Sequence, residues 1–252
     1  MLLTLQGSVI ERCAGYEVVR TPANPTFYWG NFLLLGGPPG AGTVSSWIAT
    51  FAREFPGAEH VALGVDGTTG DAGDRQEIAA LGLGIELSTV LTARATTPPP
   101  RPNESAQFRM LDSDADWLGA LELQEAGHGG SPEGWQGFQG RRMQAKRRMQ
   151  AQGFGAWFGA FEDGRMVSGL GVFGDGGGIA RFQDVDTHPA HRNRGLAGTL
   201  VYRASQYALH EMGAQTLVIL ADPDGPAIRI YRSVGFRDTE TQVQLQRPVS
   251  AD

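Results

Sequence analysis

The sequence predicts a mixed α/β (α+β) fold, in which a central sheet is flanked by helices. The first observation is a set of three apolar strand patterns separated only by short turns: Gly155 to Glu162, Arg165 to Phe173 and Ile179 to Thr187. Asp163-Gly164, a dipeptide typical of tight hairpins, joins the first two, so these strands are expected to run antiparallel. The second observation is that the segments after them alternate between helical and strand patterns, which is typical of α/β folds.

The other elements of this region follow in chain order. A strand is predicted at Phe108 to Met110, and a helix at Asp114 to Glu125 that Ser113 or Asp114 can cap. A further helical region covers about 137 to 152. After the three strands, the pattern predicts helix Gly195 to Met212, strand Gln215 to Ala221, helix Ala227 to Ser233 and strand Phe236 to Gln246.

A proline-rich stretch divides the chain. Residues 98–102 read Pro-Pro-Pro-Arg-Pro, and four prolines in five residues continue neither a helix nor a central strand. We therefore predict a first domain at 1–96, a linker at 97–103 and a second domain at 104–252.

A basic loop precedes the long helix of the second domain. The loop reads Arg192-Asn193-Arg194-Gly195-Leu196-Ala197 and follows strand Ile179 to Thr187 after a break at Pro189. The start of a helix presents unpaired amide N–H groups and the positive end of the helix dipole, a combination that suits a phosphate or diphosphate. Gly195 has no Cβ to keep a ligand from the backbone, and the two arginines can pair with phosphate oxygens.

Two known phosphate-binding motifs do not explain this loop. The chain has no G-x-x-x-x-G-K-[ST] run. Gly169 to Gly174 reads G-x-G-x-x-G, but Asp175-Gly176-Gly177-Gly178 follows where a dinucleotide site needs a helix. A β-hairpin with a glycine-rich turn explains this run better.

Residues of about 106–246 resemble the GNAT (GCN5-related N-acetyltransferase) family. Its acyl-CoA loop, Q/R-x-x-G-x-G/A, matches at Arg192, Gly195 and Ala197. Its later signature, N-x-x-A-x-x-x-Y-x-x-x-G-F, matches at Ala227, Tyr231, Gly235 and Phe236, whereas Asp224 stands where the family usually has Asn. The resemblance implies a GNAT-like fold with a mixed, mostly antiparallel sheet, acetyl-CoA as the co-substrate and an amine as the acceptor.

The resemblance also implies which residues bind acetyl-CoA. In this fold the strand before the loop commonly bulges, so that free amides pair with the pantetheine arm and polarise the thioester carbonyl. The residues expected to hold acetyl-CoA are Val185, Asp186, Thr187, Arg192, Asn193, Arg194, Gly195, Leu196, Ala197 and Asp224.

Candidates for catalysis lie on the same elements. Tyr231 is the candidate acid, because the pKa of a phenol is close to that of a departing thiol; alternatively, its ring only packs against the sheet. Asp184 and Asp186, two residues apart, are expected on one face of their strand, where they can accept a proton from the amine or bind it. Equally, they can form salt bridges with Arg181 or cap nearby loops.

The first hundred residues predict a second, smaller unit of similar order. Strand Phe27 to Leu35, a loop at 36–42, helix Thr43 to Phe55, strand His60 to Val65, helix Asp74 to Leu81 and strand Ile85 to Ala93 follow one another. Leu81-Gly82-Leu83 falls where Val234-Gly235-Phe236 falls later. We interpret this region as a divergent, non-catalytic GNAT-like half domain of a tandem protein, because its loop has two prolines and no arginine. The alternative is an unrelated α/β extension.

Composition narrows the function classes. A formal charge of −6 argues against nucleic-acid binding, and a single cysteine, Cys13, fits a reducing cytoplasm. We predict a cytoplasmic monomer or homodimer without a membrane segment or a bound metal, although His188, His191 and Asp186 are candidate ligands. The basic run at 141–150 is interpreted as a solvated helix face or as a rim that contacts an anionic acceptor.

Two functions follow from these observations. The first is an acetyl-CoA-dependent N-acetyltransferase whose acceptor pocket is shaped by Trp117, Trp135 and the segment 127–140. The alternative is a non-catalytic tandem-GNAT protein that binds or senses acyl-CoA.

Overall fold

The computed structural model describes residues 2–127 and 135–247, with the backbone alone for residues 135 and 136. These residues form two compact units. Unit 1 contains residues 2–6 and 91–238, and unit 2 contains residues 7–90 and 239–247.

The first half of the chain alternates short strands and helices. Its elements are α1 (Leu2–Leu5), β1 (Val9–Cys13), β2 (Tyr16–Arg20), β3 (Phe32–Leu35), α2 (Val44–Glu54), β4 (Val61–Val65), α3 (Arg75–Ala80) and β5 (Gly84–Ala93). The predicted strand at Phe27 to Leu35 is shorter than expected, because Tyr28–Gly30 forms a 3₁₀ turn. Elements α1, β1 and β2 are additions to the predicted order.

The second half follows the predicted order closely. Its elements are β6 (Gln107–Met110), α4 (Asp114–Gly127), α5 (Trp135–Ala151), β7 (Gly155–Glu162), β8 (Arg165–Gly174), β9 (Ile179–Thr187), α6 (Leu196–His210), β10 (Thr216–Ala221), α7 (Ala227–Ser233) and β11 (Arg237–Arg247). Asp163 and Gly164 have φ angles of 48° and 76°, as a tight turn between β7 and β8 requires. The glycine-rich run of β8 leads into an antiparallel hairpin with β9, as expected.

Both units contain a mostly antiparallel sheet, so the predicted fold class is confirmed. In unit 1 the strand order is β10–β9–β8–β7–β6, in which β9 and β10 are parallel and β6 to β9 are antiparallel. In unit 2 the order is β1–β2–β3–β4–β11, in which β3 and β4 are parallel, while β1 pairs with β2, β2 with β3 and β4 with β11 antiparallel.

The sheet of unit 1 has apolar side chains on both faces. One face packs against α6 and α7 through residues such as Leu170, Leu200 and Ile228. The opposite face packs against α4 and α5 through residues such as Met149 and Trp157. A site on β9 can therefore be reached by side chains from two layers of helices.

The compact units divide the chain differently from the proline-rich boundary. The structure assigns residues 91–96 to unit 1, and it assigns residues 239–247 of β11 to unit 2. There, Val243 to Arg247 pair with Val61 to Val65 of β4. Strand β11 thus belongs to the sheet of the first half of the chain. A single boundary in the sequence does not capture this long-range pairing.

Candidate functional site

The parallel pair β9 and β10 separates partway along its length. Its register runs from Ile179 opposite Thr216 to Arg181 opposite Val218, and no ladder pairing between the two strands follows in the part of the chain that the structure describes. From Phe182 to Thr187, the edge of β9 that would face β10 is therefore not paired with that strand. Backbone groups at such an edge can pair with an extended ligand, as one strand pairs with another.

The predicted bulge lies in this part of β9. Gly169 of β8 pairs with Asp186 and Gly171 pairs with Gln183, so Asp184 and Val185 together face Leu170. Asp184 has a φ angle of 43°, a left-handed conformation that is uncommon for a residue other than glycine. The bulge breaks the regular alternation of β9 and leaves a residue outside the ladder, immediately before Asp186.

The loop after β9 ends at a left-handed glycine. Gly195 has φ 76° and ψ 0° and is the N-cap of α6. The amides of Leu196, Ala197 and Gly198 occupy the first turn, where no acceptor exists within the helix. A fifteen-residue helix thus directs its amide-rich, positive end at this loop.

Gly195 also makes room for the chain's own linker. A Cβ at this position would lie 2.3 Å from the carbonyl oxygen of Arg101. Next to it, the amide of Asn103 donates to Thr199 Oγ1 at 2.8 Å, and Asn103 Nδ2 donates to the carbonyl oxygen of Arg194 at 2.9 Å. Packing within unit 1 therefore requires a glycine here, and its role in ligand approach stays a prediction.

The two arginines of the loop have different surroundings. Arg194 forms an ion pair with Glu162, with Nη2 2.8 Å from Oε1, and its Nη1 lies 3.0 Å from His191 Nδ1. Arg192 is exposed, and its Nε donates to the carbonyl oxygen of Thr187 at 3.4 Å. Arg192 is therefore the more available cation for an incoming phosphate.

Tyr231 is buried on α7. Its side chain belongs to the core between the sheet and α6, and only 4% of the residue is exposed. Burial, and secondarily the charge of Asp186, raises the pKa of the Tyr231 phenol well above its usual value. The phenol thus keeps its proton at neutral pH, as a hydrogen-bond donor must.

Asp184 is held in an ion-pair cluster on the side of α4 and α5. Its carboxylate pairs with Lys146 and Arg142, and Gln124 Nε2 donates to it at 3.3 Å. Burial alone would raise the pKa of Asp184, but the charges of Lys146 and Arg142 outweigh burial and hold the pKa well below its usual value. Such a carboxylate is a weak base. Burial lowers the pKa of Arg181, the partner considered from the sequence, and the charge of Asp184 opposes this change.

Asp186 lies beyond the bulge. Ser168 Oγ donates to its backbone carbonyl at 2.8 Å, and its carboxylate charge acts on Tyr231 and on Lys146. Among the three predicted catalytic residues, Asp184 forms ion pairs with α5, whereas Asp186 acts on both Tyr231 and Lys146 through its charge.

The residues that surround Asp184 are not among the site residues predicted from the sequence. The interpretation of the basic run as a solvated face is wrong for Lys146, whose side chain is 1% exposed, and for Arg142, whose side chain is 20% exposed. The signal was their i, i+4 spacing, which puts both cations on one face of α5 toward an acidic strand. Arg147, by contrast, pairs with Asp114 at the surface.

The remaining predicted positions lie apart from these groups or outside the described residues. Asp224 is exposed in the turn before α7, where its amide donates to Asp222 Oδ1 at 2.9 Å. Trp117 packs in the core with Trp157, whereas residues 128–134 and the side chain of Trp135 lie outside the described residues.

Among the described residues, no group of three or more His, Cys, Asp or Glu side chains can share a metal ion. No helix there is both long and apolar enough to span a bilayer.

A family model matches part of the chain. Residues 122–236, just under half of it, match the model of the acetyltransferase (GNAT) family. None of the curated proteins matches the chain. Solved structures match it over nearly its whole length, at identities that show the fold alone. A functionally unknown conserved protein from Staphylococcus epidermidis ATCC 12228 has 10% identity and a TM-score of 0.69, covering 95% of this chain and 93% of that one.

Two further structures bear family names. The GCN5-related N-acetyltransferase from Kribbella flavida has 16% identity and a TM-score of 0.65, covering 99% of this chain and 95% of that one. A tandem GNAT protein from the clavulanic acid biosynthesis pathway has 16% identity and a TM-score of 0.58, covering 97% and 84%. Residues 122–236, which include the bulged strand, the separated parallel pair and the glycine-capped helix, are therefore similar to the acetyltransferase (GNAT) family.

Proposed function

We propose that unit 1 is an acyl-CoA-dependent N-acetyltransferase that moves an acetyl group from acetyl-CoA directly to the amine of an acceptor. The observation that carries this proposal is the separation of β9 from β10 beside the amide-rich start of α6. The open edge of β9 offers backbone groups to an extended arm, and the start of α6 offers amide donors to a diphosphate. Acetyl-CoA contains both an extended pantetheine arm and a diphosphate.

The loop residues provide the binding contacts. Amides of Gly195, Leu196 and Ala197 would donate to the diphosphate oxygens, and Arg192 would add a charge-assisted hydrogen bond. Asn193 has a φ angle of 62°, which turns the chain toward Gly195. Arg194 would contribute less than Arg192, because Glu162 already pairs with its guanidinium. Asp224 would be a further contact to acetyl-CoA.

The bulged strand provides the groups next to the thioester. Backbone amides of Val185 to Thr187 would pair with the pantetheine arm and with the thioester carbonyl, whose oxygen gains negative charge during the reaction. The carboxylate of Asp186 would bind the acceptor ammonium and take its proton, directly or through water. Asp184 is assigned a different role, because its carboxylate is already paired with two cations.

Tyr231 would complete the reaction. The amine nitrogen bonds to the acetyl carbon, the carbon–sulfur bond breaks, and the phenol of Tyr231 donates its hydrogen to the departing sulfur. Burial raises the pKa of this phenol, so it gives up its proton only as negative charge develops on the sulfur. In this scheme one proton leaves the acceptor for Asp186, another passes from Tyr231 to the leaving group, and solvent returns a proton to the phenolate before the next turnover.

Release of free thiol from acetyl-CoA in the presence of a panel of amines tests the proposal. The panel should include small polyamines, amino acids, aminoglycosides and peptide N-termini, with acetyl-CoA alone as the control for hydrolysis. The expected result is amine-dependent thiol release together with a 42 Da mass increase of the acceptor, as an acetyl group requires, at about 1–10³ turnovers per second for a good acceptor. Acetyl-CoA binding without turnover across the panel would favour the alternative, a sensor of acyl-CoA.

A further inference from the structure

A buried lysine, Lys146, contacts the bulge of β9, although it has no role in the proposed reaction. Lys146 of α5 points into the core of unit 1, beside the ring of Trp157, with its Nζ 4.8 Å from the ring centre. Burying an ammonium group is costly unless it is paired, and its partner here is the carboxylate of Asp184. Burial lowers the pKa of Lys146 to about 8, although the charge of Asp184 opposes this change.

Asp184 is also the residue with the unusual backbone. Its φ of 43° belongs to a region that non-glycine residues adopt only where the surrounding structure holds them. The groups that hold it all come from the helices on one side, namely Lys146 and Arg142 of α5 and Gln124 of α4. The side chain that forms the ion pair therefore belongs to the residue that forms the bulge.

The position of the bulge decides what the next residues present. With one extra residue between the Gln183 and Asp186 pairings, the strand changes its orientation just before Asp186. Without the bulge, Val185 to Thr187 would shift by one position relative to β8, and the carboxylate of Asp186 would point to the opposite face.

We propose that Lys146 is a positioning residue of the acetyltransferase: its ion pair with Asp184 holds the β9 bulge, and thereby the amides of Val185 to Thr187 and the Asp186 carboxylate, in the geometry for reaction. This inference rests on the proposed function. Lys146 acts through Asp184 and touches neither acetyl-CoA nor the acceptor.

The test compares three variants of the full chain. Lys146→Met keeps the length of the side chain and removes its charge, so the Asp184 carboxylate loses its closest partner. Asp184→Gly removes that carboxylate and puts a residue at the bulge that adopts positive φ readily. The double variant combines the two. Arg147→Met is the matched control, because Arg147 is the next residue of α5 and pairs at the surface with Asp114.

The expected kinetic result is a rescue. Lys146→Met should lower kcat by up to about 100-fold, the scale of a misplacement of about 1 Å. The kcat of the double variant should be at least tenfold higher than that of Lys146→Met, because glycine forms the bulge without an ion pair. Arg147→Met should match the wild type. A folded Lys146→Met protein with wild-type kcat, or a double variant as slow as Lys146→Met, would overturn the inference.

A second measurement needs no turnover. Hydrogen exchange of the β9 amides should be faster in Lys146→Met and return toward the wild-type rate in the double variant, while the amides of β7 stay unchanged. Unchanged exchange at β9 would refute the positioning role whether or not the protein transfers acetyl groups. Faster exchange at β9 in Lys146→Met, together with a wild-type protein that turns over no amine, would instead preserve the role of Lys146 in holding the bulge and refute the proposed function. If Lys146→Met does not fold, the double variant decides alone: its β9 amides should exchange at nearly the wild-type rate, and much faster exchange than in the wild type contradicts the inference.

Discussion

The two units share a succession of elements but differ at the places where chemistry would occur. In unit 1, β9, α6, β10 and α7 follow one another; in unit 2, β3, α2, β4 and α3 do so, and each succession contains a parallel pair. The short helices even end alike. The amide of Phe236 donates to the carbonyl of Tyr231 at 3.2 Å, and that of Leu83 to the carbonyl of Ile78 at 3.1 Å. Ile78, fully buried, thus occupies the position of Tyr231.

The parallel pairs differ in how far they stay together. In unit 2, pairing continues to Leu35 opposite Val65, and the amide of Asp66 then donates to the carbonyl of Leu35 at 2.8 Å. In unit 1 the pairing stops at Arg181, six residues before the end of β9. The edge that is open for a ligand in unit 1 is therefore closed by the protein itself in unit 2.

The helix starts differ in a similar way. In unit 2, the carboxylate of Glu77 accepts hydrogen bonds from the amide of Gly42 at 2.7 Å and from that of Val44 at 3.0 Å. An anion from the chain thus occupies the place that a phosphate would take. This difference supports the proposal that the first half of the chain is a divergent, non-catalytic GNAT-like half domain. The same succession of strands and helices can therefore leave a helix start open to a ligand, as in unit 1, or cover it with a carboxylate of the chain, as Glu77 does in unit 2.

The largest expected effect concerns the residue that unit 2 replaces by isoleucine. Tyr231→Phe should lower kcat by about 10²–10⁴, the usual loss on removing a general acid, and should leave the Kd for acetyl-CoA nearly unchanged. The loss should shrink for a thioester whose thiol is more acidic, because that sulfur needs less help to depart. Stopped-flow measurement of thiol release gives the rate of the chemical step.

Tyr202→Phe, on α6, serves as the control for removal of a hydroxyl. A Tyr231→Phe protein that transfers acetyl groups within about threefold of the wild-type rate, with chemistry rate-limiting, would show that the ring only packs against the sheet. The comparison between Tyr231 and Ile78 would then concern packing alone.

The second effect imitates unit 2 in unit 1. Ala197→Glu places a carboxylate in the first turn of α6, where the helix dipole stabilises it and where it competes with a diphosphate. Because like charges in one site cost several kcal/mol, the Kd for acetyl-CoA should rise by more than about 100-fold, with no loss of thermal stability. Ala197→Gln, which has the same size without the charge, should weaken binding far less. Equal affinities of the two variants, measured by calorimetry, would exclude a diphosphate at this helix start.

The sequence predicted the elements of unit 1 well and the surroundings of its site only in part. Strands with clear apolar patterns, such as β9, and the short helix that carries Tyr231 match the structure closely, because their signals are local. The exchange of β11 into unit 2, the ion pair of Lys146 with Asp184, and the contact of Arg101 with Gly195 join residues that are distant in sequence. No local pattern encodes such contacts. The sequence therefore predicts a solvated face where Lys146 is buried, and it gives no sign that Gly195 makes room for Arg101.

The third effect tests the internal anion of unit 2 itself. Glu77→Ala leaves the amides of Gly42 and Val44 without their protein acceptor, so the free energy of unfolding should fall by about 1–3 kcal/mol. Glu77→Gln keeps one acceptor oxygen and should lose less. Denaturant unfolding measures both. Calorimetry of the same proteins should still give about one acetyl-CoA site per chain, because β3 and β4 remain paired and the loop has no arginine. A second site in either variant would mean that Glu77 alone blocks a functional loop.

The smallest effect separates the two arginines that unit 2 lacks. Arg192→Ala should weaken acetyl-CoA binding by about tenfold, the scale of one charge-assisted hydrogen bond at a solvent-exposed site, and more at low salt than at high salt. Arg194→Ala should cost less, because Glu162 already pairs with that guanidinium. Glu162→Gln should then tighten binding slightly by releasing Arg194, but it should have no effect in the Arg194→Ala background. A different result is that Arg194→Ala weakens binding more than Arg192→Ala and that Glu162→Gln also weakens it. The ion pair between Arg194 and Glu162 would then shape the loop. In that case the difference between the units depends on the backbone geometry at Gly195 more than on the charge of Arg192.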